Sequence, residues 1–152
     1  SQRETPSFIV LTAKDPKGAN LDRVQIVKGW LDETGKSKEK VFNVAWSDNR
    51  HLNPDGTLPA VGNTVNLKTG QVDNSIGAAQ LATTWVDPQF DSSQSAFYYV
   101  RVLQIPTARH SLLDAIALGI EHAAEQPDTI HERAYTSSIW YRPSSTGVYT
   151  DE

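Results

Sequence analysis

Residues 97–115 read FYYVRVLQIPTARHSLLDA. The side chains there that could do chemistry are Arg109, His110 and Ser111, with Asp114 four residues beyond His110. An imidazole beside a hydroxyl, with a carboxylate one helical turn on, has the residue types of a Ser-His-Asp hydrolase. In such a triad the acid orients the imidazole and the imidazole takes the hydroxyl proton. A simpler reading needs no catalysis: Pro106 ends a strand, Ser111 caps a helix, and Asp114 at the third helical position comes close to a capping box. Between the two, Arg109 can act as an anion clamp or an interface residue reaching out from a loop. No catalytic residue is assigned. Arg109, His110 and Asp114, with Glu132 and Arg133 further along, are the candidates for an interface or anion contact.

Histidines stand at 51, 110, 122 and 131. Imidazole suits zinc, but these spacings match no usual ligand pattern. His122 reads as the end of a helix, where a cation favours the dipole. His131 and Glu132 are strand neighbours and point to opposite faces. No metal site and no cofactor is therefore assigned to this chain. The stretch SDNRHLNPDG places Asp48, Asn49, Asn53 and Asp55 ahead of Gly56, faintly like a calcium loop, but the closing acid is missing and NPDG reads as a tight turn. Trp30, Trp46, Trp85 and Trp140 would make a sugar-stacking platform if exposed together; each sits in a strand pattern, so at least three are expected in the core. Arg101 and Arg133 lie on apolar strands, where an unpaired charge is costly. Each is expected to pair with an acid, Glu132 or Asp22, and the sequence does not choose between them.

Those residues have to be held by a scaffold, and composition bounds it. A chain of 152 residues is one domain's worth and buries roughly 70% of its unfolded surface. No run approaches the ~20 apolar residues of a membrane helix, and SQRETPSF is no signal peptide. Cysteine is absent, which removes disulfides, thiolate nucleophiles and Cys-based zinc. All seven lysines lie at or before residue 68, and beyond it four arginines face ten acids. That distribution offers no basic stripe for nucleic acid. Methionine is also absent. The expectation is a C-terminal fragment of a longer protein, with the single domain spanning 1–152.

The periodicity is mostly that of strands. Phe8 to Ala13 is a short apolar run closed by DPKGAN. RVQIVKGW and KVFNVAW alternate on either side of a polar Gly turn and read as a hairpin. Residues 47–75 are irregular and rich in Gly, Asn and Asp, with a short strand near Thr64 to Leu67. Ala96 to Ile105 is apolar on both faces and belongs at the centre of a sheet. LLDAIALGIEHA is the one helix, at about 111–122, and Thr129 to Tyr141 a final strand. Several strands and one short inserted helix describe an all-β, immunoglobulin-like antiparallel β-sandwich.

Six blocks in order, ANLDRVQIVKGW, VFNVAWS, LPAVGNTV, IGAAQLATTWVDPQFD, AFYYVRVLQIPTAR and ERAYTSSIWY, resemble the C-terminal region of a large, functionally uncharacterised bacterial family. The resemblance runs from about Phe8 to Pro143. Full-length members resemble PHP-type metal-dependent hydrolases, whose upstream part carries a Gly-Asp-Thr-His motif and further metal ligands. Here His110 and Leu113 replace expected aromatics, His131 a Gln-like residue and Ser138 a proline. The resemblance implies an accessory domain with no complete catalytic site of its own. It also implies a divalent metal in an upstream catalytic domain that is this domain's partner, and a periplasmic or secreted location. A free-standing carbohydrate- or ligand-binding module is the alternative, distinguished by tryptophans exposed in a row. A self-contained metalloenzyme would instead need three ligands converging on one point.

Overall fold

The structure is a computed structural model and describes residues 5–143. Its strands are β1 (Ser7–Ala13), β2 (Leu21–Leu31), β3 (Ser37–Trp46), β4 (Gln80–Val86) and β5 (Ala96–Gln104). Then come β6 (Thr107–Ala108), helix α1 (His110–Leu118), β7 (Thr129–Ile130), β8 (Arg133–Tyr135) and β9 (Ile139–Tyr141). The larger sheet runs β3-β2-β5-β8, and β9 pairs with the other end of β5. β1 and β4 form a separate antiparallel ribbon, and β6 and β7 a third small pair. The domain is thus all-β and sandwich-like, with one short helix.

Alternation in the sequence decides which side chains share a face, although the central β2 is buried on both, with Val27 and Gln25 covered as well as Val24 and Ile26. Ile26 pairs across to Phe42 and to Val100, so their side chains share one face of the large sheet. Val24, Ile26, Ala96 and Tyr98 on that face meet Val10 of the ribbon, and Phe8, Trp30 and Trp85 close around them. The rings of Phe8 and Tyr98 lie 5.0 Å apart, and those of Phe42 and Trp85 4.9 Å apart. A bulge opposite Val24 and Gln25 lets both Val44 and Ala45 of β3 pack on this core.

A buried lysine closes the space between the two layers. Lys28 occupies the inward phase of β2 and is 4% exposed. Its Nζ meets Asp87 Oδ2 at 2.6 Å and donates to the Gln89 carbonyl at 2.7 Å. The Tyr98 hydroxyl donates to the same Asp87 oxygen at 2.8 Å. Burial pushes the Asp87 carboxyl up, but the bonds from Lys28, the Gln89 N–H and Tyr98 outweigh it and hold the group below its ordinary value. Burial first, and the bond to Asp87 second, push the Tyr98 hydroxyl well above its own.

Several expected boundaries change. The helix ends at Leu118 rather than near 122, because Gly119 adopts φ 65° and its N–H turns back to the carbonyls of Ala115 and Ile116. Arg109, not Ser111, is the N-cap residue, and it makes no side-chain cap bond. Ser111 lies inside the first turn. The final strand divides into β7, β8 and β9, and near residue 65 there is one bridge, Val65 to Val72, rather than a strand. Trp30 and Trp85 pack against the core, Trp46 is part-buried outside that cluster, and Trp140 is 67% exposed, so two tryptophans rather than three join the core.

Candidate functional site

The sequence candidates fall into two separate places. Arg109 and His110 sit at the start of α1, with Asp114 on its exposed side; His110 and Asp114 are both exposed. Glu132 and Arg133 lie at β8, also exposed. Among the described residues, no side-chain hydrogen bond or ion pair joins any two of these five. Among the described residues Arg133 has no acidic partner, and Arg101 donates its Nε–H to the Gln25 amide oxygen at 2.8 Å instead of to Glu132 or Asp22. Gln25 passes the chain on, donating to Asn43 at 2.8 Å. A neutral amide ladder, rather than an acid, therefore receives the Arg101 Nε–H on this sheet face.

Around α1 the structure assembles a different set. His122, freed from the helix by Gly119, lies in the loop that returns toward the helix start. Its Nε2 is 3.0 Å from Ser111 Oγ, and its Nδ1 is 2.9 Å from Asp128 Oδ1. The Arg109 N–H donates to the Asp128 carbonyl at 2.9 Å, which holds Asp128 beside the first helical turn. Ser111 was visible in the sequence, but its partners were not: they are 11 and 17 residues away, across a glycine stop that the apolar period ran through.

A second polar cluster surrounds Asp22. The register between β2 and β5 slips at this residue, so a bulge turns its carboxylate sideways into the protein. Arg50 Nη2 approaches one oxygen at 2.7 Å and Arg23 Nε the other at 3.3 Å. His131 Nδ1 donates to the Gln104 carbonyl at 3.0 Å and stands 3.9 Å from Asp22. Arg50 also donates to Ser47, Pro59 and Asp22 carbonyls. These bonds pin the 47–59 loop to the sheet end. Asn53, Asp55 and Gly56 form a turn closed by Asn53 and Thr57, and Asp55 accepts from the Thr57 hydroxyl and N–H. Among the described residues, no three His, Asp or Glu side chains are grouped to hold a metal ion.

The domain carries two further surface features. A groove of about 490 Å³ separates β1 from β8; Val10, Val100 and Val102 form its floor, and Lys14, Glu132 and Arg133 are at its rim. On the opposite face of the large sheet, the rings of Trp140 and Phe97 lie 5.3 Å apart, Phe97 and Tyr99 6.4 Å, and Tyr99 and Tyr135 6.2 Å. No helix among the described residues is long and apolar enough to cross a membrane.

Residues 1–143 match the sequence profile of a family described as "Protein of unknown function (DUF3604)". No curated protein and no solved structure matches the chain.

Proposed function

The chain belongs to the DUF3604 family of proteins of unknown function, and from that premise we propose that it is an accessory β-sandwich domain docking on a metal-dependent hydrolase domain. The observation that carries this reading is the outer face of the β1–β4 ribbon. Ile9 is 79% exposed, Leu11 80% and Val86 50%. Ile9 pairs with Thr84 and Leu11 with Ala82, so these side chains form one continuous strip on the side away from the core. Isolated surface leucines are ordinary, but a contiguous apolar strip on a flat ribbon is the mark of a surface that another domain covers. The occupant is the PHP-like domain expected upstream, which would hold the divalent metal. Residues Arg109, His110, Asp114, Glu132 and Arg133 supply polar contacts around that interface rather than a complete site.

The test is limited proteolysis and thermal unfolding of the longest natural chain carrying this domain, with Ile9→Ser and Leu11→Ser introduced together. Loss of a shared unfolding transition, with the isolated 152-residue chain as stable as before, supports docking. An unchanged shared transition removes it.

A second reading has its own observation. Trp140, at 67% exposure, and Tyr135, at 57%, flank Phe97 and Tyr99 in an aromatic row. The row borders a recess of about 510 Å³ lined by Gly29, Leu31, Glu39 and Arg142. Sugar rings stack on such faces, so the row supports carbohydrate binding. Affinity electrophoresis against neutral and acidic polysaccharides tests it: retardation abolished by Trp140→Ala favours this reading, and equal mobility in every gel ends it.

A further inference from the structure

Independently of docking, we propose that Ser111, His122 and Asp128 form a nucleophilic serine site that cleaves carboxylic esters. The connectivity is directional. A carboxylate accepts hydrogen bonds and donates none, so Asp128 Oδ1 at 2.9 Å from Nδ1 fixes the imidazole proton on that nitrogen. Nε2 is then the basic atom, and it faces the Ser111 hydroxyl at 3.0 Å. The hydroxyl donates to Nε2. This is the arrangement in which an imidazole can take the serine proton, with the acid holding the tautomer and stabilising the imidazolium that forms. The His122 side chain is 12% exposed and so shielded from bulk water, while that of Asp128 is 45% exposed.

The serine's place in the fold adds the remaining requirement. In the first turn of α1, the N–H groups of Leu112 and Leu113 both turn to the Arg109 carbonyl. Those of His110 and Ser111 have no acceptor within the helix, and Arg109 offers no side-chain cap. Two backbone donors at the positive helix end, without an intrahelical partner, thus lie on the nucleophile's own residue and its neighbour, and they are the groups assigned to the developing oxyanion. Nucleophile, base, orienting acid and oxyanion donors all lie within residues 110–128.

The reaction balances with water alone. Ser111 Oγ bonds to the ester carbonyl carbon as its proton passes to His122 Nε2. The carbon–alkoxy bond then breaks and the departing alcohol takes that proton, leaving an acyl-Ser111. Water attacks the acyl carbon, gives a proton to His122, and the collapsing intermediate returns it to Ser111 Oγ. The products are one carboxylic acid and one alcohol.

The experiment incubates the folded 152-residue chain with an alkyl fluorophosphonate, reads intact mass and maps the adduct, with p-nitrophenyl acetate hydrolysis alongside. One adduct, on Ser111, is expected, with turnover that Ser111→Ala abolishes. His122→Gln should slow turnover by on the order of 10²–10⁴-fold, and Asp128→Asn, which favours the wrong tautomer, by as much as ~10⁴-fold. Mapping on the unaltered chain does not depend on any variant folding. A folded chain that takes no adduct, or takes it elsewhere, overturns the proposal. So does ester hydrolysis that persists in a folded Ser111→Ala variant.

Discussion

At the residue scale, the most consequential group outside the candidate sites is Lys28. An ammonium 4% exposed is tolerated because Asp87, Gln89 and Tyr98 surround it. Lys28→Met keeps the apolar stem but strands the Asp87 carboxylate, and should cost about 3–5 kcal/mol in urea unfolding. Tyr98→Phe removes one bond from the same carboxylate and should cost about 1–2 kcal/mol. The pH dependence follows from the same groups. Asp87 is held below its ordinary value. Asp32, in the β2–β3 turn, is lowered from 3.8 to about 2, chiefly by the Thr34 hydroxyl and then the Lys36 N–H. An acid with a depressed folded pKa stabilises above its unfolded value, and that contribution disappears as pH falls through the folded one. Stability should therefore hold down to about pH 4 and drop between there and pH 2. Asp87→Asn should start lower at neutral pH and fall less steeply, as denaturant titrations at each pH would show. The lysine is legible in RVQIVKGW as a charge in an inward phase. Asp87, 59 residues away, is not, because the pairing of distant chain segments leaves no local mark.

At the scale of elements, two glycines separate local strain from crowding. Gly77 stands at φ 80° beside the bridge between Leu21 and Ala78. A Cβ there would lie 2.7 Å from both Asn20 Cβ and Ile105 Cγ2. Gly77→Ala should cost about 2–5 kcal/mol, since strain and overpacking add. Gly119, at φ 65°, has open space around it. Gly119→Ala should cost about 1–2 kcal/mol, from the left-handed backbone alone. Equal losses for the two would contradict this packing. Gly119 also explains what periodicity missed. The apolar spacing of LLDAIALGIEHA continues through it, but the left-handed residue ends the helix and sends His122 back toward Ser111. The β2–β3 hairpin, by contrast, was readable because alternation and the Gly turn are contiguous.

For the molecule as a whole, the governing feature is the inequality of its layers. A two-stranded ribbon covers one side of a five-stranded sheet, so the ribbon's outer face and the far face of the sheet both carry exposed apolar or aromatic groups. The isolated chain should self-associate at high concentration through the ribbon. Ile9→Ser with Leu11→Ser should keep it monomeric in analytical ultracentrifugation while moving stability by no more than about 0.5 kcal/mol each. Self-association unaffected by those changes would place the sticky surface elsewhere, on the exposed Trp140 row.

The sequence by itself determined the strand-rich class, the central hairpin, the central apolar strand and the single helix, because each is written in the period of adjacent residues. It also marked Ser111 and the basic and acidic residues around it as chemically capable. Only the tertiary structure decided which of them meet. His110 and Asp114, within three residues of the serine in sequence, make no side-chain bond to it among the described residues, while His122 reaches it and Asp128 reaches His122 because a left-handed glycine reverses the chain. The same holds for the buried pair of Lys28 and Asp87 and for the exposed strip on β1. Burial depends on which sheet lies over which, and that is a property of long-range packing rather than of any local pattern.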